Sequence, residues 1–200
     1  MSFPVTRVDL IRRVPGLLTA LRGILAPFVA ILAIYAPRPE PFAVCLVAAL
    51  VSDIFDGVLA RRLGVATPTL RRLDSAADTL FYVACLFAAW RLHPAAIAQR
   101  LVPLCILAGL EVFRYVFDFV KFRREASYHM WSAKFWGIAL FVGFFSMLVF
   151  GSTGPTVSFA IYVGIVTDLE GVAISILLPR WQADMPSLVH ALRARQNAGI

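Results

Sequence analysis

Apolar residues in this chain come in long blocks, and charged residues collect between them. A helix needs about 20 predominantly apolar residues to cross a bilayer core. Six blocks qualify: 17–36, 41–59, 79–90 with its polar lead-in, 101–120, 133–150 and 155–178. The first follows an Arg-containing amphipathic lead and exceeds the roughly 7–15 apolar residues of a signal peptide, so it reads as a span. Segment 2–14 mixes Phe3, Val5, Val8, Leu10 and Ile11 with Arg7, Arg12 and Arg13, the pattern of a helix lying along headgroups. Segment 184–195, with Asp184 or Ser187 as its cap, reads as a second interfacial helix or as a basic tail. No repeat, low-complexity tract or long linker divides the chain. The expected fold is all-α: one integral membrane domain over 1–200, with an N-terminal interfacial amphipathic helix over 1–16, a bundle of six transmembrane helices over 17–178 and a tail over 179–200.

Composition leads to the same class. Of 200 residues, 60% are apolar and only 16% charged, where a soluble domain carries roughly 25% charged. That balance excludes disorder, a disulfide-stapled secreted fold and an ordinary DNA-binding module. The net charge of +7 would suggest nucleic acid in a soluble protein; here it predicts Arg-rich cytoplasmic loops and anionic lipid or phosphorylated substrates, with no nucleic acid among the partners. Counted by loop, one side of the membrane carries 13 Lys and Arg and the other only Arg38, Arg91 and Arg100. Both termini and the second and fourth loops are therefore expected in the cytoplasm. The remaining three cations, Arg22, Arg114 and Lys134, fall within spans or at their ends. Cys45, Cys85 and Cys105 sit in apolar runs without ligand spacing and read as small core residues.

One stretch concentrates the chemistry. Asp53 and Asp56 are three residues apart, and Gly57, Ala60 and Arg61 follow on the same helical face. Asp74 and Asp78 are four apart at the start of the next span, and the loop with Gly64 and Pro68 is short enough to bring the two pairs together. Four carboxylates at a membrane edge repel one another unless cations meet them, and Arg61, Arg71 and Arg72 match them poorly. Oxygen-only ligands suit Mg²⁺, Mn²⁺ or Ca²⁺, and four of them suit a two-cation site. Gly57 and Ala60 let a bulky group approach the helix, and Arg61 is placed to meet a phosphate.

This stretch resembles the CDP-alcohol phosphotransferase signature D-x2-D-G-x2-A-R-x8-G-x3-D-x3-D, matching it at seven of eight fixed positions. The departure is Leu70, where the family has Gly. The segment Val14-Pro-Gly-Leu-Leu-Thr-Ala-Leu-Arg22 also looks like the family's first-helix opening, with Gly16 where Asn is common. The resemblance implies that Asp53, Asp56, Asp74 and Asp78 hold two divalent cations, Mg²⁺ or Mn²⁺, and that Asp78 also acts as base toward the acceptor hydroxyl. It implies that Asp53, Gly57, Ala60 and Arg61 bind the CDP part of a CDP-linked lipid donor. It further implies phospholipid biosynthesis by a homodimer in the inner membrane of a bacterium, with a cytoplasmic active site. CDP-diacylglycerol is the expected donor and a small alcohol acceptor such as glycerol phosphate or inositol phosphate is expected; serine, choline or diacylglycerol remain open. A different class, a non-catalytic scaffold or a divalent-cation transport protein on the same helices, leaves Gly57, Ala60 and Arg61 without a use.

Other polar residues carry two readings each. Glu111, Arg114 and Asp118, spaced three and four apart, form either an internally paired trio or a cavity in which Arg114 receives an acceptor phosphate. Ser132 and Lys134 open the fifth span as acceptor-site residues, or Lys134 snorkels to headgroups. Asp168 and Glu170 are two apart and cannot face the same cavity. Tyr82, Tyr128, Met130, Trp131, Trp136 and Trp181 suit interfacial belts. His93, His129 and His190 carry no metal or catalytic role. At Leu70, either the loop has moved the side chain toward lipid or core, or the donor pocket is reshaped.

Overall fold

The computed structural model describes residues 7–65, 67–124 and 128–197. Among them the chain is helical with no strand, in the order α1 Arg7–Tyr35, α2 Pro39–Arg62, α3 Pro68–Leu92, α4 Pro94–Ala98, α5 Leu101–Phe122, α6 Trp131–Leu148, α7 Pro155–Leu177 and α8 Leu188–Asn197. Among the described residues five helices are long and apolar enough to cross a membrane: α1 from Arg13, α2, α3 from Thr69, α6 and α7. The chain is a multi-pass membrane protein. The block at 101–120, expected as the fourth of six spans, forms the 22-residue α5, but Glu111, Arg114, Asp118 and Lys121 interrupt its apolar sequence. Segment 2–14 lies outside the described residues as far as residue 6; from Arg7 onward the backbone continues as one helix into α1.

The helices group into two compact units. The first holds α1, α2 and α3 together with Met147–Ser152, and in it α1 packs against both α2 and α3. Its buried residues are mostly small: Ala26, Cys45, Ala49, Ala84, Cys85, Ala88 and Ala89, with Val29, Phe42, Leu46 and Phe81 among them. Between helices in lipid there is little hydrophobic gain on contact, so close approach of small side chains and interhelical polar bonds supply the association. The large apolar residues Ile24, Phe28, Ile31, Val44 and Leu80 point outward, as a lipid-facing surface requires.

α2 stops where the sequence supplies a left-handed residue. Gly64 takes φ +64°, its N–H reaches the Arg61 carbonyl at 3.3 Å, and the Val65 N–H reaches the Ala60 carbonyl at 3.0 Å. That is a Schellman ending, and it satisfies carbonyls the helix would otherwise leave open. α3 then opens with Thr67 as cap, its hydroxyl accepting from the Leu70 N–H at 3.2 Å, and with Pro68 in the first turn. The polar lead-in to the apolar block 79–90 is thus helical, and Asp74 and Asp78 belong to α3 itself.

In the second unit α5 packs on α7, and α7 on α8. Gly171 makes the first contact possible: a Cβ there would lie 2.8 Å from Arg114 Cδ. Tyr128, Met130, Ile174, Leu178 and Ala191 form a small core beside α8. Tyr128 and Met130 are therefore packing residues, not the interfacial anchors that their positions suggested. Trp136 is also turned inward, donating from Nε1 to the Ala160 carbonyl at 3.1 Å. Cys45 and Cys85 are buried as expected, whereas Cys105 is exposed on α5.

Candidate functional site

α1 brings a single guanidinium to the acidic motif. Arg22 is buried, its side chain 1% exposed, and it reaches all four aspartates. Nη1 donates to Asp53 Oδ1 at 2.9 Å and to Asp78 Oδ1; Nη2 donates to Asp56 Oδ2 and Asp74 Oδ1. Each nitrogen thus joins one aspartate of α2 to one of α3. The Thr19 hydroxyl, one turn earlier on α1, donates to the Pro15 carbonyl at 3.2 Å and lies 3.4 Å from Asp56 Oδ2. The carboxylates differ in depth: the Asp56 side chain is 5% exposed, Asp74 and Asp78 are each 34%, and Asp53 is 48%. One wall of the cluster is thus closed by α1, and Asp53 opens outward.

The four carboxylates converge, as their spacing predicts. The spacing does not identify their partner, because Arg22 reads in the sequence only as a cation within a span. Two signals in the sequence bear on it: an arginine inside an apolar helix requires an anion, and the arginines near the aspartate motif are poorly placed to meet its carboxylates. One guanidinium thus stands against four carboxylates.

Asp53, Asp56 and Asp74 each offer an oxygen within 4.8 Å of the others, and Asp78 adds a fourth carboxylate on the same guanidinium. Hard oxygen donors, surplus negative charge and partial exposure fit a divalent cation of the Mg²⁺ or Mn²⁺ kind. Arg61 lies on the exposed side of α2, over Gly57: a Cβ at Gly57 would stand 3.5 Å from Arg61 Nη1. Ala60 is buried at 7% exposure, and its carbonyl takes part in the helix ending. Leu70 is half-buried in the first turn of α3, where the backbone is helical and makes no demand for glycine.

The polar residues of the second unit divide differently from the trio expected. Arg114 bonds both Glu111 oxygens at 3.0 Å, and its Nε lies 3.2 Å from Asp168 Oδ1 without hydrogen-bond alignment. Asp118 belongs instead to a second set: Tyr128 donates to it at 3.3 Å and stands 2.9 Å from the Ser175 hydroxyl. Burial pushes the Tyr128 phenol up to about 12, so it stays protonated and able to donate. Asp168 and Glu170 separate as the helical period demands: Asp168 is fully buried, and Glu170 accepts the Leu188 N–H at the start of α8 at 3.2 Å. Ser187 precedes that helix, while Asp184 pairs with His129 at 2.9 Å. Lys134 is exposed, and Ser132 Oγ is buried without a hydrogen-bond partner.

Helices of membrane-crossing length with an acidic cluster gathered by one buried cation define the class: a multi-pass membrane protein with a polar cluster built from its first three helices. The family model for CDP-alcohol phosphatidyltransferase matches residues 12–175, and the chain belongs to that family. It is accordingly a transferase of phosphatidyl groups from a CDP-alcohol to an alcohol acceptor, working among membrane lipids, in a family known for divalent-cation use. No curated protein and no solved structure matches the chain.

Proposed function

We propose that the protein transfers the phosphatidyl group of CDP-diacylglycerol to the hydroxyl of a phosphorylated polyol, of the glycerol phosphate or inositol phosphate kind, with release of CMP. The observation that carries this reading is the gathering of Asp53, Asp56, Asp74 and Asp78 about one guanidinium. Those carboxylates would hold two divalent cations, Mg²⁺ or Mn²⁺. When bound, the cations supply charge neutralisation at the diphosphate and at the departing CMP. Asp78 takes the proton of the acceptor hydroxyl as that oxygen bonds to the phosphorus bearing the lipid. The bond from this phosphorus to the bridging oxygen breaks, and CMP carries the electron pair away. Arg61 meets the diphosphate, and Gly57, without a side chain, keeps the path to the α2 backbone open. The excess of Lys and Arg on one face, 13 against 3, supports a cytoplasmic site with both termini on that side, a topology in which α5 crosses the membrane along with the other five helices.

The test is an assay of purified protein in detergent with labelled CDP-diacylglycerol and a panel of acceptors. CMP should appear with a phosphorylated polyol and a divalent cation, and less with serine, choline or diacylglycerol. Preference for an unphosphorylated acceptor would refute the acceptor class. Turnover of a CDP-linked small alcohol in place of the lipid would refute the donor.

A further inference from the structure

The carboxylates that suit a divalent cation are the carboxylates that Arg22 already holds, by one oxygen each. Its two terminal nitrogens contact all four aspartates, two each, and the side chain is 1% exposed. Its Nε makes no hydrogen bond, so the aspartates are where this guanidinium spends its charge. Formal charge sharpens the conflict. Four carboxylates balance two divalent cations by themselves, which leaves a guanidinium at the same carboxylates in surplus. A hard cation drawn to within about 2.0–2.6 Å of these carboxylates comes close to the guanidinium, which places two positive charges against each other in a poorly solvated site.

We propose that Arg22 competes with the divalent cations for this cluster: it is the resident counter-cation that clamps α2 to α3 across α1, and cation loading requires it to release part of its four contacts. Arg22 is a positioning residue on this view. It keeps the carboxylates assembled against their mutual repulsion, and it weakens cation affinity by the cost of its own displacement. The proposal rests on the two-cation reading of the aspartates.

The test compares Mn²⁺ binding by calorimetry in wild type, Arg22→Lys and Arg22→Gln, with thermal unfolding in EDTA and in saturating Mn²⁺. Lysine keeps the charge but cannot fork between the helices, so it separates displacement from simple repulsion. Both variants should bind Mn²⁺ at least roughly tenfold more tightly, because less of the intrinsic affinity is spent on opening the site. Both should melt earlier than wild type in EDTA, with the gap narrowing when Mn²⁺ is present. Wild-type affinity in Arg22→Lys, or weaker binding in either variant, overturns the proposal while leaving the two-cation reading intact. Absence of Mn²⁺ binding in wild type and variants alike removes both. Should the variants not fold, wild type labelled at the arginine guanidino carbon gives the same answer. Its infrared difference spectrum, Mn²⁺ minus EDTA, should contain shifted arginine bands, and a difference spectrum without them overturns the proposal.

Discussion

Burying a guanidinium in an apolar helix is unfavourable by several kcal/mol unless anions receive it, and four carboxylates crowded together are unfavourable for the opposite reason. Arg22 and the aspartates resolve each other's cost, which is why no residue of the cluster can be judged from its own helix. Within the site the residues still divide by role. Asp78→Asn should lower turnover by about 10²–10⁴-fold, the span of a general base, while changing the donor KM far less; steady-state kinetics at saturating donor check this, and near-normal turnover would move the base elsewhere. Arg61→Ala should raise the donor KM, because it removes a charge that sits beside Gly57 on the open side of α2. Leu70→Gly should change stability modestly and leave donor preference alone, since Leu70 occupies the first turn of a capped helix. A switch in preferred CDP-donor after that single change would put Leu70 in the substrate pocket. The aspartates were legible in the sequence because intervals of three and four fix their faces. Arg22 was not legible as their partner, because a bond across 31 to 56 residues leaves no periodic trace.

Between α2 and α3 the site depends on how two helices end and begin. The left-handed Gly64 ends one, and the Thr67 hydroxyl starts the other, so the aspartate pairs on either side face α1 in register. Gly64→Ala should cost about 1–2 kcal/mol through the positive φ alone, read as a lower melting temperature in detergent. In the second unit, Gly171→Ala should destabilise by about 1–3 kcal/mol, because the added methyl meets the Arg114 side chain at 2.8 Å and pushes α7 off α5. Helix positions were readable from the apolar blocks, and α1, α2, α5, α6 and α7 fall close to them. α3 reaches further toward its N-terminus than its apolar block, since capping and a proline start extend a helix through polar sequence. The roles of Tyr128, Met130 and Trp136 were misread for the same kind of reason: aromatic and sulfur side chains suit a headgroup belt and a packed interior equally, and their neighbours decide.

For the molecule as a whole, two measurements bear on the function directly. Chelation should abolish CMP release and Mg²⁺ or Mn²⁺ should restore it; full release in excess EDTA would defeat the two-cation reading. With the exposed Cys105 replaced by serine, thiols introduced by Leu63→Cys and Phe122→Cys should react with an impermeant reagent from the cytoplasmic side, and those from Pro39→Cys and Thr153→Cys should not. The opposite pattern would invert the orientation. The sequence by itself determined the membrane class, the helical blocks, the aspartate spacing and the family, because each is written in local composition or in intervals along one helix. Only the tertiary structure decided which cation meets the aspartates, that Arg114 serves Glu111 and Asp168 while Asp118 turns to Tyr128, and that Glu170 caps α8. These are pairings between distant segments, and in a poorly solvated interior a charge is settled by whichever opposite group packing brings to it.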